Sequence, residues 1–243
     1  LDSVDRRMSN NSNNSSLTQL ALNLSSNPSA ELENYVEPDG GQVVATVRNF
    51  LASPAETILF ISGEGATGKT HLLLAASQLY ETGEAFYLPF TELISMDPAV
   101  LEGLEHCRLL CLDDLDRVAG HPQWEEALFH LFNRCQQQQS QWIASANKTP
   151  GNLTWHLPDL KSRLGWGITI KLPALDEVLR LQVLEQQAQH FGFFLSDEVK
   201  QFIIRRAPRD LGSLTSLLKK IDRASLEEKR AITVPFVKSI TGW

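Results

Sequence analysis

The sequence predicts an α/β fold in which a parallel five-stranded sheet flanked by helices is followed by a small C-terminal helical domain. Three observations carry that expectation. Short apolar runs rich in strand formers alternate with helical patterns, at 57–62, 85–89, 108–114, 141–147 and 167–172, as strands covered on both faces must. A glycine-rich octapeptide, Gly63-Glu64-Gly65-Ala66-Thr67-Gly68-Lys69-Thr70, lies between the first run and a leucine-rich helical pattern. From Asp176 onward only helical patterns remain, over 176–191, 196–207, 210–225 and 234–240.

The octapeptide satisfies G-x-x-x-x-G-K-[ST], so it reads as a phosphate-binding loop. Glycines let backbone N–H groups converge on phosphate oxygens, and the helix N-terminus adds partial positive charge. In that reading Lys69 reaches the β and γ phosphates and Thr70 holds Mg²⁺. The helix after the loop is expected over 69–80, with Leu72, Leu73, Ala76 and Leu79 inward. His71, next after Thr70, reads by position as a structural helix residue.

Composition bounds the rest. The chain has 243 residues, 42% of them apolar, enough for one large α/β domain and an appendage. No apolar run approaches a membrane span and no signal-type segment follows the N-terminus, so a cytoplasmic protein is expected. Cys107, Cys111 and Cys135 lack C-x-x-C spacing and read as small core residues. A net charge of −7 argues against strong direct DNA binding.

Domain organisation follows. Residues 1–30 read as a flexible tail, with Met8 the expected native start. Residues 31–173 form the nucleotide-binding domain, with a helix over 42–52, and 174–243 the helical one. Within the tail, Gln19-Leu20-Ala21-Leu22-Asn23-Leu24 is conspicuous. Its leucines either pack on the chain's own core or dock in a partner's groove.

Further residues are placed to act on phosphate. Asp113 and Asp114 end the third strand, where one carboxylate can meet Mg²⁺ and the other orient water. Asn147 ends the fourth, positioned to bond a γ-phosphate or a water. Arg163 precedes the last strand, where a surface-exposed guanidinium would reach a neighbour's γ-phosphate; an ordinary salt bridge is the alternative. Arg209 starts a helix and either turns inward to phosphate or stays solvated.

These segments resemble the AAA+ ATPases of the DnaA replication-initiator clade, from about Leu17 to the C-terminus. The resemblance rests on Gly63 to His71, on Leu109 to Asp114, on Leu160-Lys161-Ser162-Arg163-Leu164-Gly165-Trp166-Gly167 and on Arg209 with its surroundings. Within the clade the chain is most similar to the Hda family of DnaA regulatory inactivators. The 157–166 run, the closing 223–238 segment and the absence of a helix-turn-helix domain after the lid carry that likeness.

The resemblance implies a P-loop AAA+ fold with a helical lid, binding ADP or ATP with Mg²⁺ through 63–71. It makes Tyr35 and Val36 contacts of the base, Asn147 the sensor 1 position, Arg209 sensor 2 and Arg163 an arginine finger in trans. It makes Gln19, Leu20, Leu22 and Leu24 part of a motif, within 17–24, that binds the DNA polymerase III sliding clamp. The implied task is to bind the DNA-loaded clamp and make DnaA hydrolyse its ATP; homo-oligomerisation stays open. Asp114 stands where AAA+ ATPases commonly carry Glu, so intrinsic hydrolysis is expected to be slow. The alternative is a self-sufficient AAA+ motor or helicase loader.

Overall fold

A computed structural model describes residues 30–37, 40–208 and 211–243. The tail motif 17–24 and Arg209 lie outside the described residues. Two compact units divide the described residues: 30–35, 42–64 and 69–172 belong to the first, and 36–37, 40–41, 65–68, 173–208 and 211–243 to the second.

In the first unit the elements are α1 (Val43–Ala52), β1 (Ile58–Ser62), α2 (Lys69–Ser77), β2 (Ala85–Pro89), α3 (Phe90–Leu93), β3 (Leu109–Asp113), α4 (Pro122–Gln138), β4 (Gln141–Ala146), α5 (Pro158–Leu164) and β5 (Ile168–Lys171). The strands form one sheet in the order β2-β3-β4-β1-β5, and every pairing is parallel. Strand periodicity sorts the side chains onto two faces. Ile58, Phe60, Leu110, Leu112, Trp142 and Ala144 enter one core with α4 and α5, whereas Leu59, Ile61, Cys111 and Ile143 enter the other with α1 and α2. Central strands buried on both faces explain the unbroken apolar runs.

The buried Gln141 amide ties the α1 end to the sheet, donating toward the carbonyls of Phe50, Ser53 and Glu56 at 2.9–3.0 Å. All three cysteines are buried and free, and burial raises each thiol above its ordinary range, so they act as core residues. One expectation needs correction. The helix after the loop stops at Ser77, whose hydroxyl bonds back to the Leu74 carbonyl, and Leu79 beyond it is 54% exposed rather than inward. A short helix, α5, occupies 158–164 and carries Arg163.

The second unit holds α6 (Glu177–His190), α7 (Asp197–Arg206), α8 (Leu211–Glu228) and α9 (Val234–Thr241) around Leu184, Val199, Ile203, Leu218, Ile221 and Phe236. Asp176, Ser196 and Thr233 cap α6, α7 and α9 by accepting from the N–H three residues on. Among the described residues no helix is long and apolar enough to cross a membrane.

Candidate functional site

The loop Gly63–Thr70 leaves the buried end of β1 and feeds α2. Its entry is fixed by the Gly63 N–H, which donates to the Ala146 carbonyl at 3.1 Å. Ala66 at φ 62° and Gly68 at φ 88° take the left-handed region, which turns successive N–H groups toward one concave side. Lys69 is buried, its Nζ donating to the carbonyls of Gly63 at 2.8 Å and Glu64 at 2.9 Å. A cation is thereby held inside the curl of the loop, where phosphate oxygens can take over its donors. Glu64 and Gly65 are exposed along that curl, and Thr67 is buried.

Thr70 Oγ1 donates to Asp113 Oδ2 at 2.7 Å, joining the start of α2 to the end of β3. Two residues missed by sequence reasoning complete this cluster. The Tyr87 hydroxyl donates to Asp113 Oδ2 at 2.7 Å, and the Ser145 hydroxyl donates to Asp113 Oδ1. Burial, and then the neighbouring Asp113 charge, push the Tyr87 phenol well above its ordinary range, so it stays a donor. Three hydroxyls thus satisfy a carboxylate that is 1% exposed. An all-oxygen pair of hydroxyl and carboxylate fits Mg²⁺ arriving with phosphates. Among the described residues no group of three His, Cys, Asp or Glu side chains could cage a metal by itself.

Asp114 turns out of the strand into the left-handed region at φ 57°, and its N–H donates to Ser145 Oγ at 3.1 Å. Burial raises its pKa, and the charges of Asp113 and Asp116 add to that. Asn147 is exposed and anchored by Asp116, whose carboxylate accepts both its N–H at 2.9 Å and its Nδ2 at 3.0 Å. Asp116 was not anticipated, because a lone Asp in a turn carries no pattern.

His71 is half-buried on α2, where its Nε2–H donates to the Glu31 carbonyl at 2.8 Å. Its ring lies 6.1 Å from that of Tyr35, so it staples the 31–35 segment to the loop helix. Val36 is half-buried one residue on. Burial lowers the His71 pKa from its ordinary 6.5. A lowered folded-state pKa means that the unfolded chain binds more protons just below pH 6.5, so stability falls as pH drops through that window. Replacing His71 with Gln should therefore flatten the decline in melting temperature between about pH 7 and pH 5. Parallel wild-type and variant curves would exclude the contribution.

Arg163, expected at the surface, is instead half-buried near the end of α5. Its guanidinium carbon lies 4.1 Å from the centre of the Trp166 ring and 6.0 Å from that of Phe132. Among the described residues it forms no ion pair, so the salt-bridge alternative is not what holds it. The helix that carries it is pinned at its start by Glu125, a fully buried carboxylate accepting the Leu157 N–H and the Gly120 N–H, each at 2.7 Å.

Comparison with known proteins places this geometry. The model of the bacterial DnaA ATPase domain matches residues 27–171, and that of the Hda lid domain matches residues 177–241. A Haemophilus influenzae protein described only as uncharacterized is 39% identical over 225 residues, which are 91% of this chain and 97% of that protein. Domain III of Thermotoga maritima DnaA is similar with a TM-score of 0.75 at 21% identity, covering 89% of this chain and 97% of that one. AMPPCP-bound DnaA from Aquifex aeolicus gives 0.65 at 24% identity, over 84% and 69% of the two chains. The Thermotoga maritima RuvB branch migration motor gives 0.62 at 16% identity, over 87% and 71%. At these identities the solved structures speak for the fold alone. Because the ATPase-domain model covers more than half of the chain and the lid model most of the remainder, the chain belongs to the DnaA-like AAA+ proteins, of the Hda type.

Proposed function

We propose that this protein is a cytoplasmic, nucleotide-binding AAA+ regulator that docks on the DNA-loaded sliding clamp and stimulates ATP hydrolysis by DnaA, limiting initiation of chromosomal replication. The observation that carries the reading is Arg163: a guanidinium beside the sheet of a DnaA-type chain, half-accessible and with no carboxylate partner among the described residues. An arginine so held suits charge that develops on another subunit's phosphate.

An adenine nucleotide is the expected ligand, supported by the AMPPCP complexes of DnaA among the structural relatives. The 63–70 loop would cradle its phosphates, Lys69 would face the β-phosphate, and Thr70 with Asp113 would hold Mg²⁺. Mg²⁺ bound there would supply positive charge that neutralises the phosphates. Asn147 and Arg209 would read the γ-phosphate, and Tyr35 and Val36 the base. Asp114 is short for a water-orienting carboxylate, and its burial disfavours the charged form, so turnover by the isolated chain is expected to be slow.

The intact loop with its Thr70–Asp113 pair also fits a self-sufficient motor or helicase loader. Turnover separates the two readings: fast hydrolysis by the isolated chain supports the motor, and tight ADP retention with negligible turnover supports the regulator.

Binding assays test the ligands. Lys69→Ala removes the buried cation from the loop and is expected to abolish nucleotide-induced thermal stabilisation, which at 100 times the dissociation constant is about 2.7 kcal/mol. An unchanged shift would sink the site assignment. Short extended peptides draw their affinity from a few buried anchors, so Gln19→Ala with Leu22→Ala should abolish capture by the sliding clamp while the melting temperature stays put. Clamp binding at wild-type strength would place the contact elsewhere on the chain.

A further inference from the structure

Trp166 is 57% exposed, although it is the bulkiest residue type and sits beside a large core. Its one described ring contact is with Arg163, 4.1 Å from ring centre to guanidinium carbon. Backbone geometry fixes both partners. The Trp166 N–H donates to the Arg163 carbonyl at 3.2 Å, Gly167 abuts the Ile58 backbone, and the start of α5 is tethered to buried Glu125. What freedom Arg163 retains therefore lies in its side chain.

The chemistry of the restraint matters. A carboxylate would neutralise the guanidinium and occupy its donors in strong charge-assisted bonds, which an arriving phosphate would have to break. An aromatic face attracts the cation more weakly and takes none of the five N–H donors, which point outward in the guanidinium plane. The Phe132 ring lies 6.0 Å away, so the fork is restrained by aromatic rings alone among the described contacts.

We propose that Trp166 is a positioning residue for Arg163, holding the guanidinium extended, charged and unneutralised toward the nucleotide of a neighbouring AAA+ subunit. The inference rests on the reading of Arg163 as a finger acting in trans. Trp166 itself touches no substrate; it shortens the search of a long side chain for the one geometry that counts.

The experiment compares full-length Trp166→Leu, Trp166→Phe, Arg163→Ala and the double variant Arg163→Ala/Trp166→Leu, each added to ATP-loaded DnaA and clamp-loaded DNA. ADP formation is measured against protein concentration, and melting temperatures are taken for every variant. Leu keeps apolar bulk without a π face, so Trp166→Leu should lower the rate at saturation by about 10- to 10²-fold, the scale of a misplaced reacting group. Its half-saturating concentration should stay within about threefold of wild type, because an exposed cation–π contact adds little binding. Trp166→Phe keeps the face and should stay within about threefold of the wild-type rate. The double variant should be no slower than Arg163→Ala, since Trp166 acts through Arg163.

A wild-type rate in Trp166→Leu, a Phe variant as slow as the Leu variant, or a double variant slower than Arg163→Ala would each overturn the proposal. If Trp166→Leu fails to fold, Trp166→Gln takes its place with the same expected loss. Full stimulation by Arg163→Ala would instead remove the finger reading itself, which separates the two failures.

Discussion

Arg163→Ala is expected to leave folding, nucleotide binding and clamp binding intact and to lower stimulation of DnaA's ATP hydrolysis by about 10³-fold or more, the scale of arginine fingers in other phosphoryl-transfer enzymes. The argument starts from what surrounds the guanidinium. Arg163 contributes no ion pair to the described structure, and its contacts are the rings of Trp166 and Phe132. Truncation therefore removes a stacking contact worth about 0.5–1 kcal/mol at a partly exposed site, too little to unfold the domain. Charge on a transferring phosphoryl group is spread over several oxygens, and a planar fork of fixed donors matches it in a way a lysine ammonium does not. Arg163→Lys should accordingly recover little of the lost rate. The assay incubates ATP-loaded DnaA with clamp-loaded DNA and wild-type or variant protein, and scores ADP formed. Stimulation at the wild-type level would take Arg163 out of the mechanism. A large fall in melting temperature would return it to a structural role.

How much of this was legible in the sequence depends on whether a residue's partners lie nearby in the chain. The loop, its strand and its helix are contiguous, so spacing alone identified Gly63 to Thr70, and Asp113 stood out at the end of an apolar strand. Tyr87 and Ser145 carry no such signal. They reach Asp113 because β2 and β4 flank β3 in parallel register, with Tyr87 beside Cys111 and Ile143 beside Cys111 on the other side, two residues short of Asp113 and Ser145. Strand order decides that, and strand order is a tertiary fact. Glu125 was hidden likewise: an acid in a long helix normally faces water, and only the packing of α5 against α4 buries it under two N–H donors. Arg163 was singled out by its place before the last strand, but nothing in 160–167 announces that Trp166 would fold back over it. Leu79 failed for the opposite reason. Helical spacing was extrapolated past Ser77, where the helix ends.

Gly167→Ala is expected to destabilise the first unit by about 3–5 kcal/mol, the range of large single-residue defects. A Cβ at this position would lie 1.9 Å from the Ile58 carbonyl oxygen, 2.6 Å from its Cγ2 and 2.8 Å from its carbonyl carbon. Two of these atoms are backbone, and β1 cannot retreat from them, because Ile58 is buried and paired with Trp142 of β4 on its other side. The strain must fall on β5, an edge strand that among the described residues pairs with β1 alone. Displacing β5 threatens the bond from the Leu172 N–H to the Ser62 carbonyl at 2.7 Å and that from the Ser62 hydroxyl to the Ile170 carbonyl at 3.2 Å. Both anchor the residue that launches the phosphate loop, so nucleotide-induced stabilisation should weaken along with the fold. Gly165→Ala supplies the control two residues away. Its nearest neighbours are the Lys161 and Ser162 carbonyl oxygens at 3.5 Å, an ordinary contact, and its backbone is right-handed at φ −90°. That change should be neutral or stabilise by about 0.4–1 kcal/mol through the unfolded chain. Thermal unfolding of the two variants side by side reads the difference. For units of this size about 1 kcal/mol corresponds to 2–4 °C, so Gly167→Ala should melt roughly 10 °C or more below Gly165→Ala. Equal melting temperatures would mean that β5 can move away from β1 at no cost, and that the close approach at Ile58 does not hold the sheet edge in place.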